Sequence, residues 1–265
     1  MKKTLAILNF ISVIFLIGVN YVAEALKFND TTVAELSRKY DNLFTPSSYA
    51  FAIWILIFLG LFAYCFYQIR NAFFRPEKAD HIEQTEYWFF IANILTGCWV
   101  LAFVYEYTGI SVLIMLGILF SLIKVILNTN MEKWDAPIGT IAFVWWPICI
   151  YAGWISVATI ANISVFLTKI NWNGFGLSEV VWTITIIIVA TIINLLMILR
   201  RNMREFAMVG AWALIAIYVR HNGDYNSIAY TALTGAILLI IAAGIHGYQN
   251  RTTSPANKLK ERFNN

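Results

Sequence analysis

The chain has 265 residues and a mass of 30.2 kDa, with 60% hydrophobic and 13% charged residues, a mean hydropathy of +0.67 and a net charge of +4. A soluble domain carries roughly 25% charged residues, so this composition defines an integral membrane protein, and the modest positive charge gives no ground for a nucleic-acid partner. Cys65, Cys98 and Cys149 all lie inside apolar segments, where they read as small packing residues rather than structural disulfides.

A bilayer core takes about 20 apolar residues per helix, with a range of about 17 to 25. Segments near that length run from about Leu5 to Val22, Tyr49 to Ile69, Trp88 to Tyr105, Gly109 to Leu127, Ile138 to Ala161, Val180 to Leu199, Phe206 to Val219 and Ile228 to Tyr248. They predict an all-α, polytopic helix bundle of about eight transmembrane helices. The seventh segment is the weakest: it is short, lies between Arg204 and Arg220, and needs snorkelling arginines or a thin local bilayer to cross. With the N-terminus inside, 14 of the 19 Lys and Arg residues fall on cytoplasmic segments, and only Lys27, Arg38, Lys39, Lys169 and Arg220 fall outside. That bias predicts both termini in the cytoplasm of a multi-pass protein, read as one of a bacterial cytoplasmic membrane.

Met1-Lys2-Lys3 followed by an apolar run and Ala23-Glu24-Ala25 has the outline of a cleaved signal peptide. The apolar run is longer than the roughly 7 to 15 residues of a signal h-region, so the first span is expected to stay in the protein. After it comes the one sizeable outer loop, Glu24 to Pro46, in which Thr32 and Glu35 fit a capping box and predict a short helix to about Tyr40. Arg251 to Asn265 reads as a basic cytoplasmic tail.

Ionisable residues at membrane depth are functional candidates by default, and the spans offer almost none. Lys124 can snorkel, while Glu24, Glu106, Glu179 and Asp224 sit at the outer rim. This argues against ion-coupled transport. His81, His221 and His246 share no helix face at ligand spacing, and no nucleophile-base set is recognisable, so neither metal ligands nor catalytic residues are assigned. What remains is uncharged: Trp54 on the second span, Asn93 and Trp99 on the third, and Trp145, Trp146, Tyr151, Trp154 and Asn162 on the fifth. Tyr151, Trp154 and Ala158 fall at i, i+3 and i+7, on one face, with Asn162 a turn further on. Gly153 and Ser156 are small enough to let a neighbouring helix approach closely. The Trp145-Trp146 pair reads as an anchor near a headgroup zone. A pocket of indoles and amides without charges suits a flat, largely apolar ligand with a few polar atoms, as in tetrapyrroles and sterols.

These residues resemble the translocator protein family, also called tryptophan-rich sensory proteins (TspO/MBR). Tyr40-Asp-Asn-Leu43, then Pro46 and Trp54, is similar to that family's first loop and the helix tryptophan after it. Trp154-x-x-x-Ala158-Thr159-x-x-Asn162, with Tyr151 before it, is similar to the end of its fifth helix. The third span, with Asn93 and Trp99 six residues apart instead of one turn, matches more loosely. The likeness covers about residues 1–165, and the spans from Val180 onward have no counterpart in the five-helix members. It implies a division into a five-helix bundle over 1–165, three additional helices over 166–250 and the tail over 251–265.

The resemblance further implies a pocket for porphyrin, haem or a sterol-like ligand, lined by Trp54, Asn93, Trp99, Tyr151, Trp154 and Asn162, under a lid formed by Asn42 to Pro46. The expected function is that of a membrane sensor or carrier that needs no cofactor, with the lipid bilayer and a hydrophobic small molecule as partners, and a homodimer compatible with it. Two alternatives stand beside this one: an enzyme that degrades a bound porphyrin using the indoles as electron donors, and a structural or regulatory partner of another membrane protein.

Overall fold

The computed structural model describes residues 1–251 and 257–258, so most of the predicted tail lies outside the described residues. Its long or site-forming helices are α1 (Lys2–Leu26), α2 (Val33–Lys39), α3 (Ile53–Phe74), α4 (Asp80–Thr85), α5 (Trp88–Val104), α6 (Thr108–Asn128), α7 (Ile138–Lys169), α8 (Glu179–Arg201), α9 (Arg204–His221) and α10 (Asn226–Gln249). All eight apolar segments expected from the sequence are helical. Six of these helices are long and apolar enough to cross a membrane: α1, the Ser48–Phe74 run that contains α3, α6, α7, α8 and α10. The apolar α5 has 17 residues, and α9 has 18 with Arg204, Glu205, Arg220 and His221 at its ends, so these two fall short of that test.

Five helices close a ring: α1 packs on α3 and α5, α5 on α6, α6 on α7, and α7 back on α3. The remaining three, α8 to α10, pack on one another, and α9 joins them to the ring through α7. The ring is zipped in part by amides. Asn9 donates to Gln68 at 2.9 Å between α1 and α3, and Asn93 donates to the Ser12 hydroxyl at 3.0 Å between α5 and α1, all of them buried. Lipid offers no partner to such groups, so they select which helix faces meet.

The seam between α7 and α9 depends on Gly153. A Cβ there would lie 2.9 Å from the Phe206 carbonyl oxygen and 3.0 Å from Val209 Cβ, so only hydrogen permits this approach. Gly153→Leu should therefore push α9 off α7 and cost about 1–3 kcal/mol. A thermal melt of the detergent-solubilised protein checks this; an unchanged midpoint would contradict the packing described.

Inside α7, Ile141 to Trp145 forms a π-helical stretch just before Pro147. Proline has no N–H to offer the carbonyl four residues back and its ring crowds that carbonyl, so the turn widens to relieve both. Trp145 lies at the end of this stretch. The expectation of a headgroup anchor fails for it: Trp145 is 3% exposed and meets Trp134 edge-on at 5.5 Å.

Candidate functional site

The site lies at the end of the ring opposite the chain termini. Thr32 caps α2 through the predicted box, accepting from the Glu35 N–H at 3.1 Å while Glu35 accepts from the Thr32 N–H at 2.9 Å. The chain then passes through Asn42, whose side-chain oxygen accepts from the N–H groups of Phe44 and Thr45 at 3.1 Å each. This Asx turn delivers Pro46 and, after one 3₁₀ turn at Ser48–Ala52, Trp54 on the first turn of α3.

Trp54, Trp99 of α5, and Trp154 and Asn162 of α7 converge below that loop, and with Pro46, Phe51, Phe103 and a rim of small aliphatic residues they line a cavity of about 40 Å³. No charged side chain is among its lining residues. The Trp99 indole N–H donates to the Asn162 side-chain oxygen at 2.5 Å, and the Asn162 amide donates to Ser111 of α6 at 2.9 Å. These bonds tie α5, α6 and α7 at one level. Phe51 meets Trp154 edge-on at 5.8 Å, and Trp99 stacks on Phe103 at 5.2 Å. A second cavity of about 220 Å³ shares Val33, Phe51, Trp54 and Trp99 with the first. A third, of about 390 Å³, opens beneath the loop among Arg38, Asp41, Pro46 and Arg220. Phe51 borders all three.

Two residues expected at the pocket lie behind it. Tyr151 is fully buried, faces Trp54 edge-on at 6.3 Å and shares a hydrogen bond with Thr96 at 2.5 Å. Asn93 points toward α1, because six residues on a 3.6-residue turn put it on a different face of α5 from Trp99. Asn42 lines a separate groove of about 610 Å³ with Trp172 and Trp182, while Pro46 reaches the cavity itself.

Sequence reasoning missed what holds the loop down. Arg220, at the end of α9, donates to the carbonyls of Asn42 at 3.0 Å and Thr45 at 2.6 Å and pairs with Asp41. His221 bonds the Leu43 carbonyl at 2.8 Å, the Ser47 N–H donates to the Ala216 carbonyl at 3.2 Å, and Trp212 donates to the Ala50 carbonyl at 3.1 Å. None of this has a local sequence signal, since the partners are more than 150 residues apart. On the opposite flank, Glu106 accepts from Lys39 at 2.6 Å and Tyr40 at 2.5 Å, and its backbone carbonyl accepts from Lys169 at 2.5 Å. The Lys39 ammonium, with the Tyr40 hydroxyl, holds the Glu106 carboxyl below the usual carboxylate range.

A multi-pass helical bundle, with an uncharged aromatic cavity roofed by a clamped loop, is the class of protein this geometry defines. The family model described as TSPO-like protein matches residues 6–245, and the chain belongs to that family. The match runs beyond residue 165 and takes in α8, α9 and most of α10. No curated protein and no solved structure matches the chain.

Proposed function

We propose that the protein binds a planar, largely apolar ligand of the porphyrin, haem or sterol kind between Trp54, Trp99 and Trp154, and acts as a membrane sensor or carrier. The observation that carries this reading is the lining: three indoles and two phenylalanines, with one amide already engaged and no charge. Such walls reward ring stacking by about 0.5–1.5 kcal/mol per aromatic pair beyond area burial. Ligand sites commonly span about 300–1,000 Å³, so a ligand of that size enters when Phe51 turns and joins the three cavities, its apolar part among the indoles and its polar atoms toward Glu24, Arg38, Asp41 and Arg220 at the margins. In this reading residues 1–165 hold the ligand, residues 166–250 fasten the loop, and both termini face the cytoplasm.

Titration with protoporphyrin, read by tryptophan quenching, tests the assignment. Trp54→Ala and Trp154→Ala should each weaken binding at least about tenfold, the sum of one lost aromatic contact and the apolar area the indole buries against the ligand. Affinities within a factor of about two of the parent protein would place the ligand elsewhere.

A further inference from the structure

A second cavity, at the end of the bundle that carries both termini, has the opposite chemistry. It measures about 200 Å³ and is lined by the α6–α7 connection, the α8–α9 turn and Trp145 and Trp146 of α7. Four of its lining residues carry buried polar atoms with no hydrogen-bond partner: Glu132 Oε1, Asn202 Oδ1, Trp146 Nε1 and Arg204 Nε. Glu132 is 8% exposed and adopts φ 60°, a left-handed conformation that costs a non-glycine residue on the order of 1 kcal/mol or more. An unpaired buried polar group costs about 1–3 kcal/mol, so two acceptors and two donors left open around one space call for an occupant.

We propose that this cavity is a second binding site, for a small zwitterion of the amino-acid type, whose ammonium meets Glu132 and Asn202 and whose carboxylate meets Arg204 and the Trp146 N–H. A simple cation would face the Arg204 guanidinium unpaired, and a simple anion would leave the Glu132 and Asn202 oxygens without a donor. Among the described residues no carboxylate comes within 4.0 Å of Arg204, and its charge acts on the Glu132 and Glu205 carboxyls only from a longer distance. The guanidinium lies against Gly247 of α10, where a Cβ would come within 2.9 Å of Nη1, so the missing side chain leaves room for it. The mouth accepts an ammonium from this chain: Lys258 of the tail pairs with Asp135 and donates to the Ala136 carbonyl at the rim. Burial, with the neighbouring Glu205 carboxylate, pushes the Glu132 carboxyl up to about 8 against the opposing pull of Arg204. An ammonium that ionises Glu132 therefore releases a proton on binding.

The test uses the purified full-length chain and calorimetric titration with glycine, L-alanine and L-glutamine, with propionate and ethylammonium as the two halves of alanine. At least one zwitterion should bind saturably, at least about tenfold more tightly than either half, as expected when one charged partner is lost. Proton release should appear as a heat that varies with the ionisation enthalpy of the buffer. Glu132→Gln should abolish that release, Trp146→Phe should weaken binding while preserving the ring, and Gly247→Ala should weaken it by displacing Arg204 without removing its charge. Protoporphyrin quenching should stay unchanged in all three, which separates this site from the one under the loop. If Glu132→Gln does not fold, the other two variants still decide the matter. No saturable binding up to about 10 mM, equal binding of propionate or ethylammonium, or indifference to the variants would overturn the proposal and leave a cavity filled by water, for which about 30 Å³ per molecule is enough room.

Discussion

Asn162→Ala is expected to be the most damaging single substitution among the pocket residues, lowering stability by about 2–4 kcal/mol. The change removes the acceptor of the Trp99 indole N–H at 2.5 Å and the partner of Ser111 at 2.9 Å, both in the protein interior. A stranded indole N–H costs about 1–3 kcal/mol, and the missing side chain adds a void. Ser111 loses less, because its hydroxyl also donates to the Thr108 carbonyl at 2.7 Å. Trp99→Phe removes the donor instead of the acceptor, so the pair makes a double-mutant cycle. Thermal or denaturant midpoints should show a coupling of at least about 0.5 kcal/mol. Strict additivity would mean that the two side chains do not share a bond.

The second large effect concerns the loop. Arg220→Ala leaves the carbonyls of Asn42 and Thr45 and the carboxylate of Asp41 without their common donor. Hydrogen bonds to charged groups contribute about 1.5–3 kcal/mol each, discounted here because the guanidinium is 21% exposed and its Asp41 partner 63% exposed. A loss of about 2–3 kcal/mol is expected, and with it faster association and faster dissociation of protoporphyrin in stopped-flow quenching. Arg220→Lys should recover only part of this, since an ammonium is a point charge without the planar fork that reaches two carbonyls and a carboxylate together. If association rates in the alanine variant match the parent, the loop does not limit access to the pocket.

How much of this was legible beforehand follows from the range of each signal. The eight apolar segments and the Thr32–Glu35 cap are local patterns, visible within 20 residues or four, and each forms the helix expected of it. Convergence of Trp54, Trp99 and Trp154 is a long-range property, which came from resemblance to a family and not from spacing. Asn93 shows the limit of that transfer, because the helical repeat already separates it from Trp99. The Arg220 clamp had no signal at all: an arginine beside a short outer loop reads as a solvated charge until the fold brings Asn42 beneath it. Glu132 was hidden for a related reason. A connection between two spans is ordinarily wet, and only the folded arrangement of that connection under α8 and α9 makes it an interior residue.

Phe51 borders three voids at once, so the capacity of the pocket is set by the rotamer of one ring. Phe51 is half-buried against Trp154, and turning one ring displaces far fewer atoms than the loop and collective helix motions that take nanoseconds to milliseconds. In the proposed role, arrival of a bulky ligand would be timed by the release of residues 41–47 from α9, and discrimination between ligands would be left to Phe51, which either finds a resting place beside the guest or returns and expels it.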